Sequence, residues 1–322
     1  MPLQLTNTIL MIRPANFGFN SETAVNNAFQ KNNDSMTSDE ISRKALIEFD
    51  QMVQDIREAK IQVIVVEDTV SPIKPDAIFP NNWISFHSDG TVITYPMFSM
   101  ARRNERRDDV IELLEKDYRV DRRYSLEMFE EQHQYLEGTG SMVIDYENKI
   151  VYACLSPRTE ARVLHKFALL MNFEAHIFRA IDQNGLDIYH TNVMMTMGLD
   201  FVVCCVESIE KGRRDEIVDL FERTNKTLIE ISLEQMNRFA GNMLQLIDSE
   251  GSPVLVMSDT AHMSLTENQV QTLLLKTKLL TVSIPTIESI GGGSARCMIA
   301  EVFLPKKRLD PRMNIGKVGL SN

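Results

Sequence analysis

The chain has 322 residues, 43% of them hydrophobic and 25% charged, with a formal charge of -11. That is ample apolar material for a packed core, and the acidic balance speaks against a nucleic-acid partner, which usually shows as a basic surplus. No apolar run approaches the roughly 18 residues of a membrane span, and the opening MPLQLTNTIL lacks the basic start and long apolar stretch of a secretory signal; a soluble cytoplasmic protein is expected, without a membrane partner, its oligomeric state left open, a homodimer included.

Taken in chain order, TNTILMIRPANFG from Thr6 reads as a strand running into a turn. TSDEISRKALIEFDQMVQDIREA from Thr37 opens with a capping-box pattern and carries apolar residues at three-to-four spacing, which predicts a long amphipathic helix. IQVIVVED from Ile61 predicts a strand. DAIFPNNWISFHSDGTVITYPM from Asp76 then gives two apolar runs joined by a polar turn, the signature of a hairpin. ARRNERR from Ala101 packs four arginines into seven residues, and such a charge run is usually the solvated start of a helix, here RRDDVIELLEKDY.

The same succession returns. EGTGSMVIDYENKIVYACLSP from Glu137, HTNVMMTMGLDFVVCCVES from His190 and FAGNMLQLIDSEGSPVLVMSD from Phe239 repeat the hairpin pattern, with YEN, GLD and DSEG as their turns. Each is followed by a helix-like segment (SPRTEARVLHKFALLMN, ESIEKGRRDEIVDLFERTN, SLTENQVQTLLLKTK) and a short strand (EAHIFRAI, TLIEIS, LLTVSIP). A fifth stretch, GGGSARCMIAEVFLP from Gly291, has a first strand only. The opening TNTILMIRPANFG could supply its second and close a ring. The unit is strand, strand, helix, strand, recurring about every fifty to sixty residues, so residues 1–322 are expected to form one domain whose five opening motifs face a shared centre.

Those openings carry the chemistry. They contribute Asn81 and Asn82, Glu137, His190 and Asn192, Asn242, and Cys297: a thiol, an imidazole and a carboxylate, each from a different repeat. Singly, each has a plain structural reading as a core histidine, a turn carboxylate or a small buried residue. Jointly they match what a cysteine nucleophile needs, a proton carrier beside it and a group to orient the imidazole. The other cysteines, Cys154, Cys204 and Cys205, lie in β-branched apolar runs and read as core. No metal spacing is present and no cofactor is expected.

This set resembles the guanidine-modifying superfamily, which includes arginine deiminases, dimethylarginine hydrolases, amidinotransferases and succinylarginine dihydrolases. DAIFPNNW is similar to its first acidic strand motif, LEGTGSMVI to its EGGD-type segment, HTN to its HxD segment and GGGSARCM to its cysteine loop. FPNNWISFH, RRNERR and FAGNMLQL bring the chain nearest to the citrulline utilisation hydrolase branch. The resemblance implies a five-bladed α/β propeller of ββαβ units, with Cys297 as nucleophile, His190 as general acid/base and Glu137 as the carboxylate that orients it. It also implies glycines that let the backbone approach the substrate.

One departure is instructive. Where members that bind a guanidinium use two aspartates, this chain has Asn82 and Asn192, and an amide can both donate and accept. The expectation is therefore a small amino-acid substrate with a ureido group, citrulline first, cleaved to ornithine, carbon dioxide and ammonia through a covalent intermediate on Cys297. Arginine or an N-acylarginine as the substrate of a deiminase or dihydrolase, an amidinotransferase, and a propeller without activity are the alternatives. Asn81, Asn82, Asn192 and Asn242 are the candidate substrate amides. Arg102, Arg103 or Arg106 is expected to hold the substrate carboxylate with a bidentate fork. Trp83 and Phe79 are read as packing first, as stem-lining second.

Overall fold

In the computed structural model, which describes residues 4–32 and 35–307, the repeats become five three-stranded sheets. The strands are β1 (Thr8–Arg13), β2 (Gln62–Glu67), β3 (Ile84–Phe86), β4 (Thr91–Thr94), β5 (Arg122–Ser125), β6 (Val143–Asp145), β7 (Ile150–Cys154), β8 (Glu174–Phe178), β9 (Met195–Met197), β10 (Phe201–Cys204), β11 (Thr227–Glu230), β12 (Leu244–Ile247), β13 (Pro253–Ser258), β14 (Lys278–Val282) and β15 (Ala300–Glu301). In the sheets β3-β4-β5, β6-β7-β8, β9-β10-β11 and β12-β13-β14, the first two strands pair antiparallel and the third returns parallel. A parallel return needs a long crossover. The helices Asp108–Leu114, Ala161–Met171, Lys211–Arg223 and Glu267–Leu274 lie in those crossovers.

The fifth sheet is assembled from distant parts of the chain. β15 pairs antiparallel with β1, Ile9 opposite Glu301 and Leu10 opposite Ala300, and β1 pairs parallel with β2. Their crossover is the helix Ser38–Glu58, whose N-cap Thr37 forms a capping box with Glu40. Ile41, Ala45, Phe49, Met52, Val53 and Ile56 make its buried stripe, at the spacing that puts side chains on one helical face. The sequence reading thus anticipated this pairing, but it did not find β5. Arg122–Ser125 is mostly exposed and has no apolar run to announce it.

Four of the motifs fold as single helical turns at the heads of the first strands: Pro80–Asn82, Gly138–Ser141, Thr191–Met194 and Ala295–Met298. The turn Gly138–Ser141 packs on both Pro80–Asn82 and Thr191–Met194, and Pro80–Asn82 packs on Ala295–Met298. Below them β6 lies against β9, β9 against β12, and β15 against β3. Close packing at the motif level leaves no room for a side chain at Gly140, where a Cβ would lie 2.4 Å from Asn82 Nδ2 and 2.8 Å from the His190 ring. Trp83 is core, as are Cys154, Cys204 and Cys205, all free thiols. Among the described residues no helix is long and apolar enough to cross a membrane.

Candidate active site

The clustered turns wall a cavity of about 270 Å³, open mouth included, lined among others by Asp76, Asn82, Arg102, Arg158, His190, the three glycines Gly291 to Gly293, and Cys297. Cys297 sits on the turn Ala295–Met298, only 4% exposed. Its sulfur is flanked by two amides: Asn242 Nδ2 at 3.3 Å and Asn192 Nδ2 at 3.6 Å. Asn242 Nδ2 also donates to the Asn192 carbonyl at 2.8 Å, which fixes its orientation. Among the described residues no hydrogen bond joins Cys297 to His190.

His190 Nε2 donates to Glu137 Oε2 at 2.8 Å. Burial pushes the imidazole down to about 4 against the pull of Glu137, so it is neutral. Burial works to raise Glu137, but Arg158 at 3.6 Å, His190, and Arg102 at 3.8 Å outweigh it and hold the carboxyl at about 2. The other oxygen, Oε1, accepts the Phe98 N–H at 3.0 Å. The arrangement is a buried, ionised carboxylate that fixes a neutral imidazole in one tautomer, able to take up a proton and give it back.

Of the three candidate arginines, Arg102 alone lines this cavity, and the run is a 3-10 turn, Ala101–Glu105, not a solvated helix start. Arg102 is 2% exposed, forks onto both oxygens of Glu105 at 2.9 Å, and donates to Asn82 Oδ1 at 2.8 Å. Arg103 and Arg106 turn away. Arg103 donates to the Met97 carbonyl at 3.1 Å, and Arg106 pairs with Glu130 at 2.5 Å; three arginines on one short turn cannot all face inward. Asn81 is also out of the cavity wall, fully buried beneath it with its Oδ1 accepting from Asn82 Nδ2 at 3.1 Å. Phe79 does line the cavity, against the glycines.

Two ionisable groups here escaped the sequence reading. Arg158 is 2% exposed, donates to the Thr23 carbonyl at 2.8 Å and to Asn26, and lies over the Tyr189 ring with 4.9 Å to its centroid. Its signal was available, since it follows the second strand of its repeat as Arg102 follows β4. Asp76 is held through one oxygen by Asn20 at 2.8 Å and stands 3.7 Å from Arg102, while its Oδ1 is buried with no partner. Burial raises its carboxyl despite Arg102, and burial likewise lifts Glu105 to about 7. Among the described residues no cluster of three or more histidine, cysteine or acidic side chains is placed to hold a metal.

The five small mixed sheets and the cavity at their motif ends define a class: the protein is a guanidine-modifying enzyme, a hydrolase acting on the C–N bond of a linear amidine. Within it, the chain belongs to the family described as N,N dimethylarginine dimethylhydrolase, eukaryotic, whose model matches residues 13–304. No curated protein is similar enough in sequence to match.

Solved structures add likeness of fold. The N-terminal domain of ArgZ, a cyanobacterial arginine dihydrolase, in a cysteine-to-serine form bound to substrate, has a TM-score of 0.71 at 17% identity, covering 92% of this chain and 98% of that one. AgrE with L-arginine has a TM-score of 0.72 at 18% identity, covering 93% of this chain and 40% of the longer AgrE chain. A dimethylarginine dimethylaminohydrolase carrying an S-methyl-L-thiocitrulline adduct has a TM-score of 0.63 at 13% identity, with 92% and 99% covered.

Proposed function

We propose that residues 1–322 form one catalytic α/β propeller with the five sheets as its blades, and that it hydrolyses L-arginine in two rounds to ornithine, carbon dioxide and two ammonia, with citrulline formed between them. The observation that carries the choice of arginine is one oxygen: Asp76 lines the cavity with its Oδ1 buried and without a hydrogen-bond donor. A guanidinium side chain meets it with both an N–H donor and a positive charge, whereas a neutral ureido group brings the donor alone. The substrate's own α-carboxylate and α-ammonium cancel. Arg102 and Arg158 line the same cavity and offer the first their positive charge.

In this reading the Cys297 thiol gives its proton to neutral His190, and the sulfur attacks the central guanidinium carbon. His190 returns the proton to a departing nitrogen, which leaves as ammonia, and the carbon stays bonded to sulfur. Water, deprotonated by the same imidazole, then attacks that carbon and expels the sulfur, giving citrulline. A second round on the ureido carbon consumes another water and yields ornithine, carbon dioxide and ammonia. Glu137 keeps the imidazole oriented and stabilises its charged form. The amides of Asn82, Asn192 and Asn242 serve both rounds, because each can donate to a carbonyl and accept from an amino group.

Citrulline as the starting substrate is the second reading, favoured by those same amides. Assays with L-arginine, citrulline, N-succinylarginine and dimethylarginine, read by amino-acid analysis, separate the possibilities. Ornithine and two ammonia per arginine support the proposal. Turnover of citrulline without arginine would reverse the charge argument, and dimethylamine release with citrulline as end product would replace the substrate altogether.

A further inference from the structure

The loop that carries Cys297 begins with three glycines, of which Gly292 adopts φ +65°, so its backbone is intrinsically free and has to be pinned to aim a sulfur atom. Two pins come from outside the loop: Tyr189 Oη donates to the Gly292 carbonyl at 2.6 Å, and Asn27 Nδ2 donates to it at 3.2 Å. The third comes from within. Glu288, 4% exposed on the helix Pro285–Gly291, accepts the Gly292 N–H on its own carbonyl at 3.0 Å. Its carboxylate accepts the Ser294 hydroxyl at 2.6 Å. The Ser294 carbonyl in turn accepts the Cys297 N–H at 3.0 Å, closing the single turn that presents the sulfur.

We propose that Glu288 is a positioning residue for Cys297, acting through Ser294. Four features support this. The carboxyl group accepts the Ser294 hydroxyl at 2.6 Å and, among the described residues, has no salt-bridge partner. A surplus buried acid with no ion-pair role is costly to keep. Short O–H···O⁻ bonds are among the strongest hydrogen bonds available. And the Glu288 side chain holds the end of the glycine segment that leads to Cys297, so its removal frees the stretch that aims the nucleophile. The inference rests on the reading of Cys297 as nucleophile given above.

The test uses Glu288→Gln, which keeps the shape, and Ser294→Ala, which removes the other partner. Iodoacetamide labelling of Cys297, followed by mass spectrometry, reports sulfur presentation without any assumption about the substrate. Both variants should label about tenfold more slowly and lose about 10- to 100-fold in kcat with KM within about twofold, since a misplacement near 1 Å can cost about 100-fold. The double variant should be no worse than the poorer single one, because both act through one contact. Labelling and kcat equal to those of the parent, or additive losses, would overturn the proposal. Failure of the parent protein to label at Cys297 in preference to the other thiols would instead strike the nucleophile assignment.

Discussion

The heads of the first strands and their shafts enclose two cavities of opposite character. At the heads, Asp76, Arg102 and Arg158 line the wall, and Asp76 still has an oxygen without a donor. Along the shafts, the second cavity is lined by methionines of β9 and by Met142 and Met243, with one closed ion pair, Arg296 to Glu301 at 2.8 Å. Charges that match one to one hold the structure together. Charges left unmatched are kept for something that arrives.

The contrast can be broken from either side, beginning with the largest effect. Cys297→Ala should abolish turnover, on the order of 10⁶-fold if the sulfur is the nucleophile, while the melting temperature stays within a few degrees; retained product formation in a steady-state assay would remove the chemistry from the first cavity. Asp76→Asn takes away the unmatched charge and keeps the shape. KM for arginine should rise about 10- to 100-fold, the worth of one charge-assisted hydrogen bond, with a smaller change in kcat.

In the second cavity, Glu301→Gln leaves Arg296 buried without its counter-ion. Breaking a buried pair costs about 3 kcal/mol, so calorimetry should show a lower melting temperature, by about 5 to 10 °C, with KM for the substrate unchanged.

The smallest effect is a pH slope. His190 sits near 4 in the folded protein against an ordinary value of 6.5, so the unfolded chain takes up its proton first. Its contribution to stability is intact above about pH 6.5 and is lost as the pH falls toward 4. Glu137, held at about 2 rather than 4.5, adds a second loss below pH 4.5. A His190→Asn variant should lack the upper part of that slope in melting curves taken from pH 7 to 4.

How much of this was legible in the residues follows from what each kind of element writes into a sequence. The repeat was readable because apolar periodicity and turn residues are local, and β1 could be paired with β15 because a unit lacking a strand stood out. β5 was invisible, since an edge strand of arginine, tyrosine and serine carries no apolar signal. The motif residues Glu137, His190, Asn192, Asn242 and Cys297 were found because they begin repeats. Arg158 was missed although its place after a second strand matches that of Arg102, and Asp76 was missed because its significance is a matter of burial and an unmet partner, which no spacing encodes. The amides of Asn82 and Asn192 suggested a neutral ligand, and the choice between that and arginine turns on Asp76, six residues before one of them, whose lack of a donor no spacing encodes.

The pairing of β1 with β15 has a consequence for how the molecule comes into being. On the ribosome, β1 emerges long before its antiparallel partner β15, so one edge of that sheet waits uncovered while the four sheets between them are made. The loop bearing Cys297 leads directly into the late-arriving strand. A translation product stopping short of β15 would therefore be unsealed at its seam, and the loop bearing Cys297 would be framed only once the two remote stretches of polypeptide had met.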